Sequence, residues 1–500
     1  MKRSLLVLVL LGLVSTPAVA KKKEKAPPPA AAPAAPAPDP EAWRATPPVA
    51  GAEKPWAPPV AKVITLSNGI PVYLVERPGL PLVSVRLVVG AGREANPPGK
   101  SGLAALTASM LDEGTTTRSA TRLAEDAAGL GADLSTRAGE EGAFLSLNAL
   151  TGEPLPASLD LLADVALRPA FAKAEFTRVQ AETLAAIEEA KGEPRDVASR
   201  TVLTQIYGKD HPYGAPSVGT LESVKSLKVD DAKKLYTTWY HAGNASFVVT
   251  GAVNETQIRD LLEARFGKWA KGKTTRATPP AASAPIRTRV VFVEQPGAVQ
   301  SVVRLVTLGV PRSSPEFFPG TMAVTLMGGM FSSPLNMKLR EEHGWSYGAF
   351  AWLTSSRDAA LVNASSSVQA DKTAPAVSEM LKVLNNAKTA PTAPELKMAQ
   401  DYLLKSLPGN YETNDAAANT LVEIPMFGLG PDATAAYTKG VFDVTAAQST
   451  ASAARFFDAT RLLVVVVGPR TIEADDGKGG KTTIDIPASL KALGYEYVGP

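Results

Sequence analysis

Histidine is scarce in this chain of 500 residues: His211, His241 and His343 are the only three, and cysteine is absent. A catalytic zinc needs three protein ligands drawn from imidazole, thiolate or carboxylate, plus an open position for water. His211 and His241 lie thirty residues apart with neither H-x-x-x-H nor H-x-x-E-H spacing, and His343 directly follows Glu341 and Glu342. The run SGLAALTASMLDEGTTT, Ser101–Thr117, has Leu103, Leu106 and Met110 at helical spacing. On another face of that helix Ala105, Ala108 and Ser109 stand at i, i+3 and i+4, so their side chains emerge side by side. That is the spacing at which two ligands and a base would share a face. Yet an alanine methyl has no donor atom, and a neutral serine hydroxyl is a poor zinc ligand.

The elements around these residues predict a mixed fold. Val72–Glu76 alternates, a Pro-Gly turn follows, and Leu82–Gly90 continues as a β-branched strand. Helices are expected over 103–110, over Ala120–Gly129 with Ser119 as cap, and over Ala174–Ala190; ADLSTRA, AFLSLNAL and Ser246–Val253 read as strands. VERPG at Val75–Gly79 recurs as VEQPG at Val293–Gly297, and RLV at Arg86–Val88 recurs at Arg304–Val306; Gly102 is matched by Gly320. All three matches share an offset of 218 residues, which indicates a tandem duplication. A polar break, KGKTTRATPPAASA at 271–284, separates domains at 61–270 and 285–500. Helices and strands do not strictly alternate, so the class is α+β, with a mostly antiparallel sheet covered by helices in each domain.

The first twenty residues have the form of a secretory leader: Lys2 and Arg3, an apolar run Leu5–Val14, and Ala18-Val19-Ala20 as cleavage site. Residues 21–60 form a Pro/Ala-rich linker; seven prolines among the fourteen residues Pro27–Pro40 favour extended polyproline geometry over any core. Export, most simply to a periplasm, is expected. Losing Lys2 and Arg3 takes the formal charge from +3 to +1, which gives no electrostatic case for nucleic acid. No later stretch reaches 18 apolar residues, so no transmembrane helix is expected after cleavage. The remaining chemistry-bearing residues read as structural: His211 and Tyr213 as packing, Trp239 and Tyr240 as core, Glu188, Glu189 and Glu193 as a solvated helix face, and GKGG at Gly477–Gly480 as a hairpin tip.

Several segments together resemble the pitrilysin/insulinase-type zinc peptidases, the inverzincins. The frame of that family's active-site helix is present as Gly102, Leu103, Ala104, Met110, Leu111, Gly114 and Thr115. HPYG at His211–Gly214 with Gly219-Thr220, and WYHAGNASFVVTGAVN at Trp239–Asn254, resemble later family segments. MGGMFSSPLNMKLREEHGWSYGAF, Met327–Phe350, is the most specific match. The resemblance covers about residues 61–500.

It implies that the family's two metal histidines fall on Ala105 and Ser109 and its general-base glutamate on Ala108. The third ligand falls near Ala186, in a register that could slip toward Glu182, Glu188 or Glu189. The resemblance therefore implies a chain that binds no metal itself. Members of the family form half of a clam-shell chamber, and one unit can supply an arginine and a tyrosine to a partner's metal centre; here those positions are Arg340 and Tyr347. A guanidinium fork and a phenol can hydrogen-bond a peptide carbonyl and the oxyanion formed from it. Read alone, Arg340 could equally offset a helix dipole or pair with Glu341 or Glu342, and Tyr347 could be a half-buried strand aromatic. Gly328 and Gly329 allow a close approach or a sharp turn, or form a plain helix-breaking loop; Gly344 is expected at positive φ. The expectation is a non-catalytic subunit that positions peptides for a zinc-bearing H-x-x-E-H partner. A metal-free peptide-binding or scaffold protein of an envelope assembly, and an active peptidase with an unrecognised metal site, are the alternatives.

Overall fold

Two sheets grow from β-branched runs that are buried on both faces. The computed structural model describes residues 41–46, 48, 49, 51 and 56–499, apart from 277, 283, 284, 359 and 476. The expected leader and most of the Pro/Ala-rich linker lie outside the described residues. Within the leading segment one 3-10 turn forms, Ala42–Ala45. The body described below begins at Trp56.

The first sheet contains β1 (Lys62–Thr65), β2 (Pro71–Glu76), β3 (Leu82–Val89), β4 (Asp133–Ala138), β5 (Ala143–Leu150) and β6 (Ala245–Gly251), in the order β1-β2-β6-β3-β5-β4. Only β2 and β6 run parallel. The second half contributes β7 (Arg289–Glu294), β8 (Gln300–Leu308), β9 (Ser346–Leu353), β10 (Leu361–Gln369), β11 (Leu463–Gly468), the hairpin β12 (Thr471–Asp475) and β13 (Lys481–Asp485), and β14 (Glu496–Val498). Its large sheet is ordered β14-β7-β11-β8-β10-β9, and GKGG sits at the hairpin tip. The class is thus α+β, with two sheet-plus-helix domains. The first half carries helices α1 (Leu103–Ser109), α2 (Ala120–Gly129), α3 (Pro154–Leu167), α4 (Lys173–Glu189) and α5 (Pro194–Tyr207). Ser119 caps α2 by accepting from the Arg122 amide.

Side-chain alternation in β3 explains the layering. Val83, Val85, Leu87 and Val89 join the core under α1–α4, and Val88 faces the other way into a smaller cluster. That second cluster is completed by Ala417, Ala418 and Leu421 from a helix of the other half, Asn414–Leu421. The arrangement is reciprocal. In β8, Val303 and Leu305 face their own helices, whereas Val302 and Val306 pack with Ala198, Val202 and Ile206 of α5. Each half therefore lends one helix to the other's sheet. Each fully buried Val or Leu on such a face stabilises by about 1.5–3 kcal/mol.

The duplicated RLV motif anchors both loaned helices. Arg86, 2% exposed, donates from Nε to Asn419 Oδ1 (3.0 Å) and from Nη1 to Asn148 Oδ1 (3.3 Å), and Nη2 pairs with Asp415. Arg304 donates from Nη1 to Ser199 Oγ of α5 (2.7 Å) and from Nη2 to Asn363 Oδ1 (2.8 Å). Burial lowers the pKa of both guanidinium groups, opposed at Arg86 by Asp415. The third match of the repeat is looser: Gly102 precedes α1, whereas Gly320 lies inside the helix Phe317–Val324.

The segment 271–284 has no regular secondary structure among its described residues but is fastened to both halves. Gly243 N donates to Lys271 O (2.6 Å), Thr274 Oγ1 to Thr238 O (2.8 Å), and Arg276 pairs with Asp358. Buried carboxylates meet in this seam. Glu141 accepts from Ser356 Oγ (2.7 Å) and the Arg357 amide (3.0 Å). Neither oxygen of Glu94 has a hydrogen-bond donor; Arg276 Nε and Arg357 Nη1 stand 3.6 and 3.7 Å away.

Candidate functional site

Helix α1 is held at both ends. Gly102 precedes it at φ +90°, where a Cβ would fall 2.5 Å from Val218 O and 2.9 Å from Gly219 Cα, so only glycine lets the two backbones meet. The Ala104 amide donates to Asn96 Oδ1 (2.7 Å). At the other end Thr136 Oγ1 of the edge strand β4 lies 2.7 Å from Ala108 O and 2.9 Å from Asp112 Oδ1. Burial pushes the Asp112 carboxyl up, and the Thr136 bond opposes that shift. The following GTTTR turn is tied to α3 by Asp164, which is fully buried. Asp164 accepts from Thr115 Oγ1 and Thr117 Oγ1 (2.6 Å each) and from Arg118 and Arg168 (2.7 Å each). Burial alone would raise its pKa, but these donors bring it down to about 2.

On this frame Ala105 and Ser109 are half-buried on one face of α1, while Ala108 is fully buried. Ala186 is exposed on α4, which lies against α1. These residues do not fit a zinc ion, because the four positions hold three methyl groups and one neutral hydroxyl. A slip in register to Glu182, Glu188 or Glu189 adds one carboxylate, too few to hold the ion. Glu182 is bound to Arg178 (2.8 Å), which also pairs with Glu175 (2.9 Å) and with Glu113 just beyond α1, and Glu188 pairs with Lys191 (2.8 Å). Among the described residues no group of three or more His, Asp or Glu is placed to hold a metal.

The histidines are engaged singly. His211 Nε2 is 2.8 Å from Pro280 O, and its Nδ1 accepts from the Tyr213 amide (3.0 Å). His241 Nε2 is 2.6 Å from Thr274 Oγ1, and His343 stacks on Trp345 with ring centroids 3.9 Å apart. Tyr213 and Tyr240 are buried.

The second half presents a different surface. A wide-turn helical segment, Met337–Glu342, carries Arg340 after the short helix Pro334–Asn336. Arg340 Nε is 3.2 Å from Glu341, and its guanidinium lies 4.8 Å from the Phe331 ring centroid. Gly344, at φ +64°, turns the chain into β9, an edge strand that begins beside Tyr347. Tyr347 is 91% exposed and so is not the half-buried aromatic that the sequence left open. Gly328 and Gly329 do not form a supporting loop; both lie in the helical segment Thr325–Gly329. Gly328 is needed for close approach, since a Cβ there would come within 2.6 Å of Ala351 in β9.

Sequence reasoning passed over Asn336. It is fully buried, donates from Nδ2 to Phe331 O (2.7 Å) and accepts from the Ala349 amide (3.1 Å). One side chain thus couples the segment bearing Arg340 to the strand bearing Tyr347. Its signal was an amide within the apolar positions of PLNMKL.

Comparison with known proteins agrees with this architecture. Residues 72–220 match the profile of the insulinase family, peptidase family M16, and residues 226–403 match that of the peptidase M16 inactive domain. A Rickettsia bellii protein named as an uncharacterized zinc protease is 26% identical over 217 residues, 43% of this chain and 52% of that one. The chain therefore spans about half the length of that relative. A Bacillus subtilis protein of the same description is 24% identical over 302 residues, 60% of this chain and 72% of that protein. The crystal structure of a peptidase M16 inactive domain from Pseudomonas fluorescens superposes with a TM-score of 0.76 at 23% identity, covering 82% of this chain and 98% of that one.

Proposed function

The chain belongs to the M16, insulinase-type peptidase family, and from that membership we propose that it is the non-catalytic subunit of an exported zinc metallopeptidase, paired with a separate chain that carries H-x-x-E-H. The observation that carries this reading is a contrast between two sites. Ala105, Ala108, Ser109 and Ala186 supply no metal ligand or base, whereas Arg340 and Tyr347 stand at the surface on a frame fixed by Gly344 and Asn336. Zinc belongs to the partner. This chain provides half of the wall of a peptide chamber, with Arg340 and Tyr347 as hydrogen-bond donors to a peptide carbonyl and to the oxyanion that forms from it. No helix of the described residues is long and apolar enough to cross a membrane.

The test is reconstitution. The chain is purified with an M16 partner from the same cell, and peptide hydrolysis is measured for each chain alone and for the pair. Activity is expected only in the pair. Arg340→Ala should leave the pair assembled and lower turnover at least about tenfold, since a single oxyanion donor is typically worth on the order of 10²–10³. Wild-type turnover from that variant, or chelator-sensitive hydrolysis by this chain alone, would overturn the reading.

A further inference from the structure

A cavity of ≈ 400 Å³ opens in the second half, where the helix Phe317–Val324 and the far end of β9 meet the helices Ala393–Ser406 and Ala433–Phe442. That volume is in the range of pockets that take small ligands. Trp352, which lines it, lies five residues beyond Tyr347, about 17 Å along the strand, so the cavity is separate from the Arg340–Tyr347 surface. Phe317 and Tyr411 are buried in its wall, and Tyr402 is 49% exposed at its mouth.

Polar groups meet at one side of this aromatic wall. Arg312 is 7% exposed; its Nε lies 3.3 Å from Glu423, and its guanidinium stands 4.4 Å from the Phe317 ring centroid. Among the described residues its Nη1 and Nη2 have no acceptor, and neither nitrogen is enclosed. The Tyr437 hydroxyl is in the same position. Burial raises the Tyr437 phenol, opposed by Arg312 and helped by Glu423, so the three groups are neighbours. The Tyr411 hydroxyl is already taken by Thr434. Among the lining residues only Arg312 and Glu423 are charged, and their charges cancel. A carboxylate would face Glu423 unbalanced, and an ammonium would face Arg312. A neutral hydroxyl meets both, accepting from the guanidinium and donating to the carboxylate. The walls, Tyr402 and Leu403 among them, fit a flat ring behind that hydroxyl.

We propose that this cavity binds a phenol, carried by a tyrosine side chain of a polypeptide, with the hydroxyl held among Arg312, Tyr437 and Glu423 and the ring against Tyr402 and Leu403. The same chemistry is met by a free phenolic molecule, and the probes below separate the two. The assignment stands apart from the role proposed for Arg340 and Tyr347 and is read on this chain alone.

Four probes are titrated into the full chain and followed by ligand-observed NMR and calorimetry: N-acetyl-tyrosinamide, N-acetyl-phenylalaninamide, N-acetyl-leucinamide and p-cresol. The tyrosine amide should bind at least about tenfold more tightly than the phenylalanine amide, because its hydroxyl bonds to charged groups, and the leucine amide should be weaker still. Weaker binding of p-cresol than of the tyrosine amide assigns the site to polypeptide tyrosine; equal or tighter binding assigns it to free phenols. Tyr437→Phe should keep the wild-type melting temperature and narrow the preference for tyrosine over phenylalanine at least about threefold. Tyr402→Ala should weaken the three aromatic probes alike. Should either variant fold poorly, Asn410→Trp closes the mouth from an exposed position and should abolish binding. Equal binding of the tyrosine and phenylalanine amides, an unchanged preference in Tyr437→Phe, wild-type affinity in Tyr402→Ala or Asn410→Trp, or no saturation by either phenol at millimolar concentration would overturn the assignment.

Discussion

Arg86 and Arg304 occupy the same place in the two copies of the repeat, and each reaches out of its own sheet to hold a helix that belongs to the other half. The two anchors differ in kind. Arg86 meets a carboxylate, Asp415, together with two amide oxygens; Arg304 meets a hydroxyl and an amide and lies 5.3 Å from the Trp352 ring centroid.

Removing the Asp415 carboxylate leaves Arg86 buried with neutral partners only. Asp415→Ala is expected to cost about 2 kcal/mol, below the usual penalty for breaking a fully buried pair because Asp415 is itself 49% exposed. Urea unfolding reads the change as a lower midpoint at constant slope.

Zinc binding should be restorable. The purified chain is expected to carry no stoichiometric zinc, and Ala105→His, Ser109→His and Ala186→Glu together should gain about one equivalent by elemental analysis. Failure of the triple variant to take up metal, with its fold intact by circular dichroism, would move the third ligand position off Ala186.

Asn336→Ala leaves the Ala349 amide without its acceptor inside the protein. A stability loss of about 1–3 kcal/mol is expected. In the reconstituted pair turnover should fall without a matching rise in KM, because the change misplaces Arg340 and Tyr347 rather than removing them. Asn336→Asp keeps the acceptor oxygen but buries an unpaired carboxylate opposite Phe331 O, so it should not recover the stability near neutral pH.

Two buried carboxylates should give opposite pH dependences. The folded-state pKa of Asp164, about 2 against an ordinary 3.8, means that its contribution is complete above the ordinary value and is lost as pH falls through the folded one. Asp164→Asn should cost about 2 kcal/mol near neutrality and progressively less in acid. Glu94 is shifted the other way by burial, helped by Glu141 and opposed by Arg357 and Arg276. Between the ordinary and the raised value the folded form keeps a proton that the unfolded chain has released, and the charge carried above that interval penalises folding. Glu94→Gln should raise the melting temperature near neutral pH, with a smaller gain at about pH 5.

Much of this was legible in the residues. The β-branched run Leu82–Gly90 read as a strand and forms β3, Leu82–Val89, and Ser119 marked the start of α2 because a hydroxyl can satisfy an otherwise orphaned helix amide. That Ala105 and Ala108 offer no donor atom is legible from the residues themselves, since no fold can give a methyl group a lone pair. The loaned helices were not legible. Ala198, Val202 and Ile206 recur at i, i+4 and i+8, which says that α5 buries a stripe but not which sheet receives it. Asn336 was missed for a related reason: the sequence shows an amide, and only the packed structure shows that it is dry and bonded on both sides.

The mutual loan of helices sets the smallest piece of this polypeptide that can stand alone. With α5 removed, Val302, Val306 and Val465 would face water; with Asn414–Leu421 removed, Val88 and Val248 would do so. A nick within 271–284 should therefore yield two fragments that are each sticky and poorly structured in isolation, yet able to regain order when mixed. Duplication here has made a single cooperative object out of two copies, neither of which is autonomous.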